Sequence, residues 1–341
     1  MSGPTPLPPP SLSAAPSLPP ASLPAAPRPN ETIVVSAESP RWIVSAEALW
    51  LERSVGSSIP LGFTAVNDGS HGPWAQAIDG LYSDDVLFPL QAGVRLQIGA
   101  RIDDRTAIQA TYWGLQQWSV GSAIYGDPDG ETVLAQSRWL QTPALIGGFD
   151  DFLGYTYTSR VDNAEINQRL RLSSYGPWVD ANWLWGFRYF RLSENFTLSG
   201  SDLATGVLED LNCRTSNNLV GLQAGIQWIR GWDRFQLTTE GKIGLLANFY
   251  TQRATDTAGG TSGSPPGFLP FDVSHSGTDL SVLFEVALLG TYRVSPHLWL
   301  RAGYQLYCVT GLALAPRQVG NFGHGGTVGL DGLSLGLEAG W

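Results

Sequence analysis

The chain is poor in charge, nearly free of methionine, holds two cysteines and contains no long apolar run; each scarcity excludes something. Charged residues make up 15% of 341, against roughly 25% in an average soluble domain. A surface wetted all round normally needs more. No stretch approaches the ~20 consecutive apolar residues of a membrane-spanning helix, and a mean hydropathy of −0.04 is too low for a helical membrane protein. Twenty basic against thirty acidic residues leave a formal charge of −10, which argues against nucleic acid or anionic lipid as a partner, since both demand clustered Lys and Arg. Cys213 and Cys308 lie too far apart in sequence for a zinc or CxxC motif. No phosphate loop, nucleophile elbow or metal motif occurs, so neither cofactor nor metal is expected.

What is present points elsewhere. Aromatics reach 11%, with 13 Trp, and Gly supplies 40 residues. Residues 1–40 hold 12 of the 23 prolines; proline removes a backbone donor and fixes φ, so this segment reads as a disordered or polyproline II tether. It lacks the basic start and continuous apolar core of a signal peptide. An exported protein needs such a signal, and the expectation is that the true start lies upstream of Met1.

From Trp42 onward the chain breaks into segments in which every second residue is apolar. In 90–102 one face reads Leu90, Ala92, Val94, Leu96, Ile98, Ala100 and Ile102, and the other Gln91, Gly93, Arg95, Gln97, Gly99 and Arg101. Side chains alternate across a strand, so this is one apolar and one polar face, which a helix would scatter. Ten such stripes follow one another, from Trp42–Trp50 to Leu333, Leu335, Leu337, Ala339 and Trp341, and none contains a charge. The opposite faces carry Glu47, Arg95, Arg101, Glu165, Arg169, Arg171, Asp180, Arg188, Glu240, Lys242, Glu285, Arg301 and Glu338. A Lys or Arg facing lipid at the midplane costs ~2–4 kcal/mol, and strict exclusion from one face is the expected result.

The connections alternate too. Short ones fall at Asp103–Arg105, Ser173–Pro177, Arg230–Arg234 and Arg293–Pro296; long ones at 54–87, 120–160, 193–216, 250–279 and 308–328. Short periplasmic turns and long extracellular loops mark an all-β, antiparallel, up-and-down transmembrane β-barrel. The spacing predicts ten strands, or twelve if a hairpin lies near Thr132–Leu140. The competing architecture is a soluble barrel or sandwich with its apolar face inward.

The segments GFRYFRLSENF (186–196), NNLVGLQAGIQW (217–228), KIGLLANF (242–249), YRVSPHLWLRAGYQ (292–305), GLALAPRQ (311–318) and LSLGLEAGW (333–341) resemble beta-barrel porin family seven, typical of planctomycete outer membranes. The resemblance spans roughly 41–341 and is strongest from 178 onward. It implies an outer-membrane barrel, called a porin by analogy, with no particular solute. The last strand, Leu333 to Trp341, is similar to the carboxy-terminal signal read by the barrel-assembly machinery. Outer-membrane lipid, that machinery and small solutes are the expected partners, and 1–40 the periplasmic tether.

Candidate functional residues are chiefly the lumen charges. With Arg53 they number eight basic and six acidic, so either a narrow polar pore with weak anion preference or an interior filled by opposite charges fits. Trp42, Trp50, Trp113, Trp118, Trp178, Trp228, Trp232, Trp299 and Trp341 are expected in headgroup girdles, with sugar-binding aromatics as the alternative. Asp84, Asp85, Asp150, Asp151, His71, His275 and His324 fall in predicted extracellular loops. A surface hydrolase of the omptin type would place a His and a carboxylate within hydrogen-bond reach there; the plainer reading is solvated loop residues, and no enzyme activity is expected. Cys213 and Cys308 both map to the extracellular side, as a disulfide or as two free thiols.

Overall fold

The computed structural model describes residues 40–54, 56, 58–66, 77–126, 131–135, 148–149, 151–172, 180–202, 207–260, 271–319 and 322–341. The proline-rich tether, His71, Asp150 and Trp178 lie outside them. Ten antiparallel strands close into a barrel. In chain order these are β1 (Trp42–Arg53), β4 (Phe88–Arg101), β5 (Thr106–Tyr125), β8 (Phe152–Arg171) and β9 (Asp180–Asp202), then β10 (Val207–Gly231), β11 (Phe235–Gly260), β12 (Phe271–Ser295), β13 (Leu298–Leu312) and β14 (Gly326–Gly340). The seam joins β1 to β14, from Ile43 opposite Gly340 to Arg53 opposite Leu330.

The predicted extra hairpin is not part of this wall. β6 (Glu131–Ala135) falls within the predicted span but pairs with β2 (Pro60–Val66) and β7 (Gly148–Phe149), and β2 also pairs with β3 (Ala77–Tyr82). These four make a separate small sheet from two long connections.

The apolar stripes face outward. Leu222 is 59% and Phe187 60% exposed, and Leu245, Val286, Leu306 and Leu335 are similarly open. This removes the soluble alternative, whose apolar face would be inside. On β10 the outward run Val220–Trp228 spans nine residues, about 27 Å along a strand and about 20 Å after a tilt of about 40°. That is close to the apolar band of a membrane barrel. The upper edge is marked by outward tyrosines whose hydroxyls bond to a neighbouring strand. Tyr112 donates to Asp162 and Tyr189 to Asn218, both at 2.9 Å, and Tyr304 donates to Asp331.

Several predicted long loops are strand for much of their length. β9 and β10 run on to Asp202 and Val207, and β11 and β12 to Gly260 and Phe271. Above the belt the outward residues turn polar (Ser193, Asn195, Thr197; Asn212, Arg214, Ser216), so the alternation stops while the ladder continues. Apolar alternation measures the lipid-facing part of a strand and not the strand. At the opposite end Asp103 closes a short turn, its carboxylate accepting from the backbone N–H groups of Arg105 (2.7 Å) and Thr106 (2.8 Å). Those bonds hold its pKa below the ordinary Asp value.

Three girdle assignments, Trp113, Trp118 and Trp299, fail for a geometric reason. Trp113 (1% exposed) and Trp118 (0%) both point into the barrel. Five residues apart, they would face opposite sides of a regular strand. A bulge between Gly114 and Gln117, with Leu115 at φ 73°, swaps the phase between them. Trp299 lies on the interior phase with Arg301. Trp42, Trp228, Trp232 and Trp341 are exposed, and Trp50 shares the outward phase of its stripe.

The cysteines are both free. Cys213 is buried on the inward phase of β10, whereas Cys308 shares the outward phase with its register partner Phe284, with β11 and β12 between the two strands. No disulfide spans a barrel wall in that way. A thiol titration in denaturant should find two thiols per chain without reductant; one or none would contradict this placement.

Candidate functional site in the lumen

The interior is filled in two layers. The first, toward the short turns, is an ion cluster built from facing strands. Arg188 on β9 donates to Glu165 on β8 at 2.5 Å and to Glu285 on β12, which lies across two intervening strands. Lys242 Nζ on β11 meets Glu165 at 2.9 Å, Glu240 at 2.8 Å and Glu285 at 3.1 Å. Gln223 donates to Glu165 and Asn167, both at 2.6 Å, and Gln227 to Glu240 at 2.8 Å. Arg169 stands 3.8 Å from Glu240. Arg301 pairs with Glu47 at 3.2 Å and with Glu338. Buried charges are tolerated only when paired and hydrogen-bonded; every charge named here has an opposite charge within ion-pair distance, while Glu47 Oε1 and Oε2, Arg169 Nε, Arg188 Nε and Nη1 and Arg301 Nε carry no protein hydrogen bond.

Arg95 is different. It is 2% exposed and has no carboxylate within ion-pair distance among the described residues. Its Nε and Nη1 lack protein partners, as do Trp113 Nε1 and both side-chain polar atoms of Asn163. Register places Glu47, Arg95, Trp113 and Asn163 on successive strands in one row. The remaining predicted charges sit at the mouth. Arg171 and Asp180 pair at 2.8 Å while about half exposed, and Arg101 is half-buried.

The second layer is apolar and lies toward the long loops. Leu49, Leu51, Phe88, Trp118, Tyr157 and Phe196 converge in it. Within it Arg53 on β1 pairs with Glu194 on β9 across the lumen, stacked over Phe88 at 4.5 Å and bonded to Tyr157 at 3.0 Å. The segment after β13 then folds back inside. Leu312, Ala313, Leu314 and Ala315 are each 0% exposed, followed by a 3₁₀ turn at Pro316–Val319. Inward side chains hold its backbone. Asn217 donates to Ala313 O and accepts from Ala313 N, both at 2.8 Å. Asn248 donates to Gly311 O at 2.9 Å, and Glu194 accepts from Ala315 N at 2.8 Å. Gln318 turns back onto Leu314 O, and Gln252 bonds Gly323 O, each at 2.8 Å.

Sequence reasoning placed this plug among the extracellular loops. The available signal was the run LALA at 312–315, four apolar residues where a solvated loop would have none. Glu194 was missed because it lies above the apolar stripe that marked its strand.

Among the described residues, which leave out His71 and Asp150, the hydrolase candidates Asp84, Asp85, His275 and His324 do not assemble as one group. Asp84 accepts from Ser58 Oγ at 2.5 Å and Asp85 from Tyr82 N at 2.6 Å, both turn contacts. His324 Nδ1 does lie 2.7 Å from Asp279, and its ring stacks on Tyr250 at 5.7 Å, while His275 stacks on Phe322 at 5.8 Å. These contacts tie the end of the plug to β11 and β12.

A closed wall, apolar outside and filled inside by an ion cluster and a returning loop, defines a plugged transmembrane β-barrel. The family described as Putative beta barrel porin-7 (BBP7) has a model that matches residues 44–324, plug included, and the chain belongs to that family. No curated protein matches the chain in sequence. Similar solved structures include the outer membrane protease OmpT of Escherichia coli, at 12% identity over 88% of this chain and 96% of that one, TM-score 0.48. The translocator domain of the autotransporter NalP from Neisseria meningitidis is 13% identical over 87% and 88%, TM-score 0.35. A FadL homologue of Pseudomonas aeruginosa is 10% identical over 89% and 90%, TM-score 0.25. At these values none of the three bears on what this chain does.

Proposed function

We propose that the protein is an outer-membrane barrel whose lumen is closed, with a structural or surface role in place of open diffusion. Full burial of Leu312–Ala315 within the wall carries this reading, and the ion cluster beneath adds a second barrier in series. Ten strands lie near the eight whose interior side chains fill, far from the 16–18 of aqueous porins. Diffusion of small solutes would require both layers to move. The outward face of the closing strand (Leu333, Leu335, Leu337) with Trp341 is exposed, as insertion by a barrel-assembly machinery needs.

The test is conductance of the refolded protein in a planar lipid bilayer, with insertion verified by its resistance to unfolding in cold detergent. Inserted protein that carries no discrete current is the expected result. Regular current steps from wild-type protein would overturn the closed reading and restore the porin one.

A further inference from the structure

Charge is unevenly spread over the outward wall above the apolar belt. The register aligns Ala164, Tyr189, Val220 and Ala247 in one row across β8–β11. On β9 the next outward residue beyond Tyr189 is Arg191. On β8, Arg160 stands two outward positions above Ala164. On β10 and β11, Arg214 and Arg253 stand three above Val220 and Ala247. All four arginines are exposed. Residues scattered along the chain thus share one patch on four consecutive strands, and Arg214 lies directly opposite Arg253. Like charges so placed repel and destabilise unless something neutralises them.

The chain's own neutralisation is partial. Arg253 is held by Asp272 at 2.8 and 2.5 Å, and Arg160 lies 3.3 Å from Asp162. Among the described residues Arg191 donates to Ser193 Oγ at 3.2 Å, and Arg214 to Asn195 Oδ1 at 3.1 Å and Asn212 Oδ1 at 2.9 Å. Neither has a carboxylate within ion-pair distance among the described residues. At the same rim on β1 and β14 the outward residues are Glu52 and Asp331, opposite one another. Among the described residues the rim therefore carries four arginines beside the outward Asp162, Asp210 and Asp272 on one side, and the acidic pair on the other.

We propose that the arginine patch docks phosphate-bearing lipid headgroups of the leaflet on the long-loop side, an inference that rests on the outer-membrane reading above. Position selects this partner. The guanidinium groups start immediately above the belt and face sideways, where headgroups stand, and not into the lumen. A planar guanidinium engages phosphate through paired N–H donors, and basic groups close to a charged membrane surface bind it additively. The interleaved Ser193, Asn195 and Asn212 add neutral polar groups suited to sugar hydroxyls, so a phosphorylated glycolipid is the best-fitting headgroup.

The experiment titrates folded full-length protein in neutral detergent with a bisphosphorylated glucosamine-disaccharide lipid and with its dephosphorylated form, counting bound lipid by native mass spectrometry. Wild type should retain the phosphorylated lipid selectively. Arg191→Gln with Arg214→Gln should weaken retention at least about tenfold, while Arg105→Gln with Arg234→Gln, on the short-turn side, should not. Equal retention of both lipids, or a double variant that matches wild type, would overturn the proposal. So would complete displacement by inorganic phosphate, which would mark a site for soluble anions. Flotation with phosphatidylcholine vesicles separates the two readings. A barrel that floats without lipid preference loses only the docking surface, and one that does not float loses both.

Discussion

Replacing Arg188 with alanine should destabilise the folded barrel by about 3–5 kcal/mol, the usual cost of breaking a buried ion pair from one side. The guanidinium joins Glu165 to Glu285 inside the wall, where neither carboxylate meets bulk water. Removing it leaves Lys242 as the one cation within ion-pair distance of Glu165 and Glu285 among the described residues. Urea unfolding in lipid vesicles, followed by tryptophan fluorescence, gives the measurement. Neutralising the acids as well, with Glu165→Gln and Glu285→Gln beside Arg188→Met, should recover much of the loss, because no carboxylate is then left buried without its cation and Lys242 keeps Glu240 at 2.8 Å. An unfolding midpoint for Arg188→Ala equal to wild type would mean that the cluster is not buried as described.

Glu194 gives the second large effect. One carboxylate holds the Arg53 guanidinium across the lumen and accepts the Ala315 backbone N–H of the plug at 2.8 Å. Glu194→Ala strands a buried cation and frees the plug in the same step. Local opening should then expose the bond after Arg317, in the 3₁₀ turn, to trypsin. Cleavage there should rise at least about tenfold over wild type, since proteolysis follows the population of the open form. Glu194→Gln keeps an acceptor for Ala315 and should fall between the two. Equal cleavage rates in wild type and Glu194→Ala would show that the plug is held without this residue.

The wall was legible in the sequence because a lipid-facing position tolerates no charge, and that constraint repeats every second residue. The inward position of Glu47, Glu165, Arg188, Lys242, Glu285 and Arg301 follows from the same alternation. Their partners do not follow. Whether Arg188 meets Glu285 depends on which strands face each other across the lumen, and that is a property of closure and shear. The tall ladders of β9–β12 were hidden because their upper outward residues are polar like those of any loop. Trp113 and Trp118 were misplaced because one bulge reverses a parity that pattern reading assumes constant. The arginine patch was invisible for a related reason: whole-chain charge averages over it, and only register gathers Arg160, Arg191, Arg214 and Arg253.

The seam between β1 and β14 has a bearing on how the molecule comes into being. It pairs residues roughly 300 positions apart, and a contact so remote adds little stability until the chain between is already in order. The first strand to be synthesised waits for the last. Every earlier length of chain is an open sheet with two bare edges and an apolar side, the form most prone to aggregate. Completion of the barrel is then a single, late event that waits for β14.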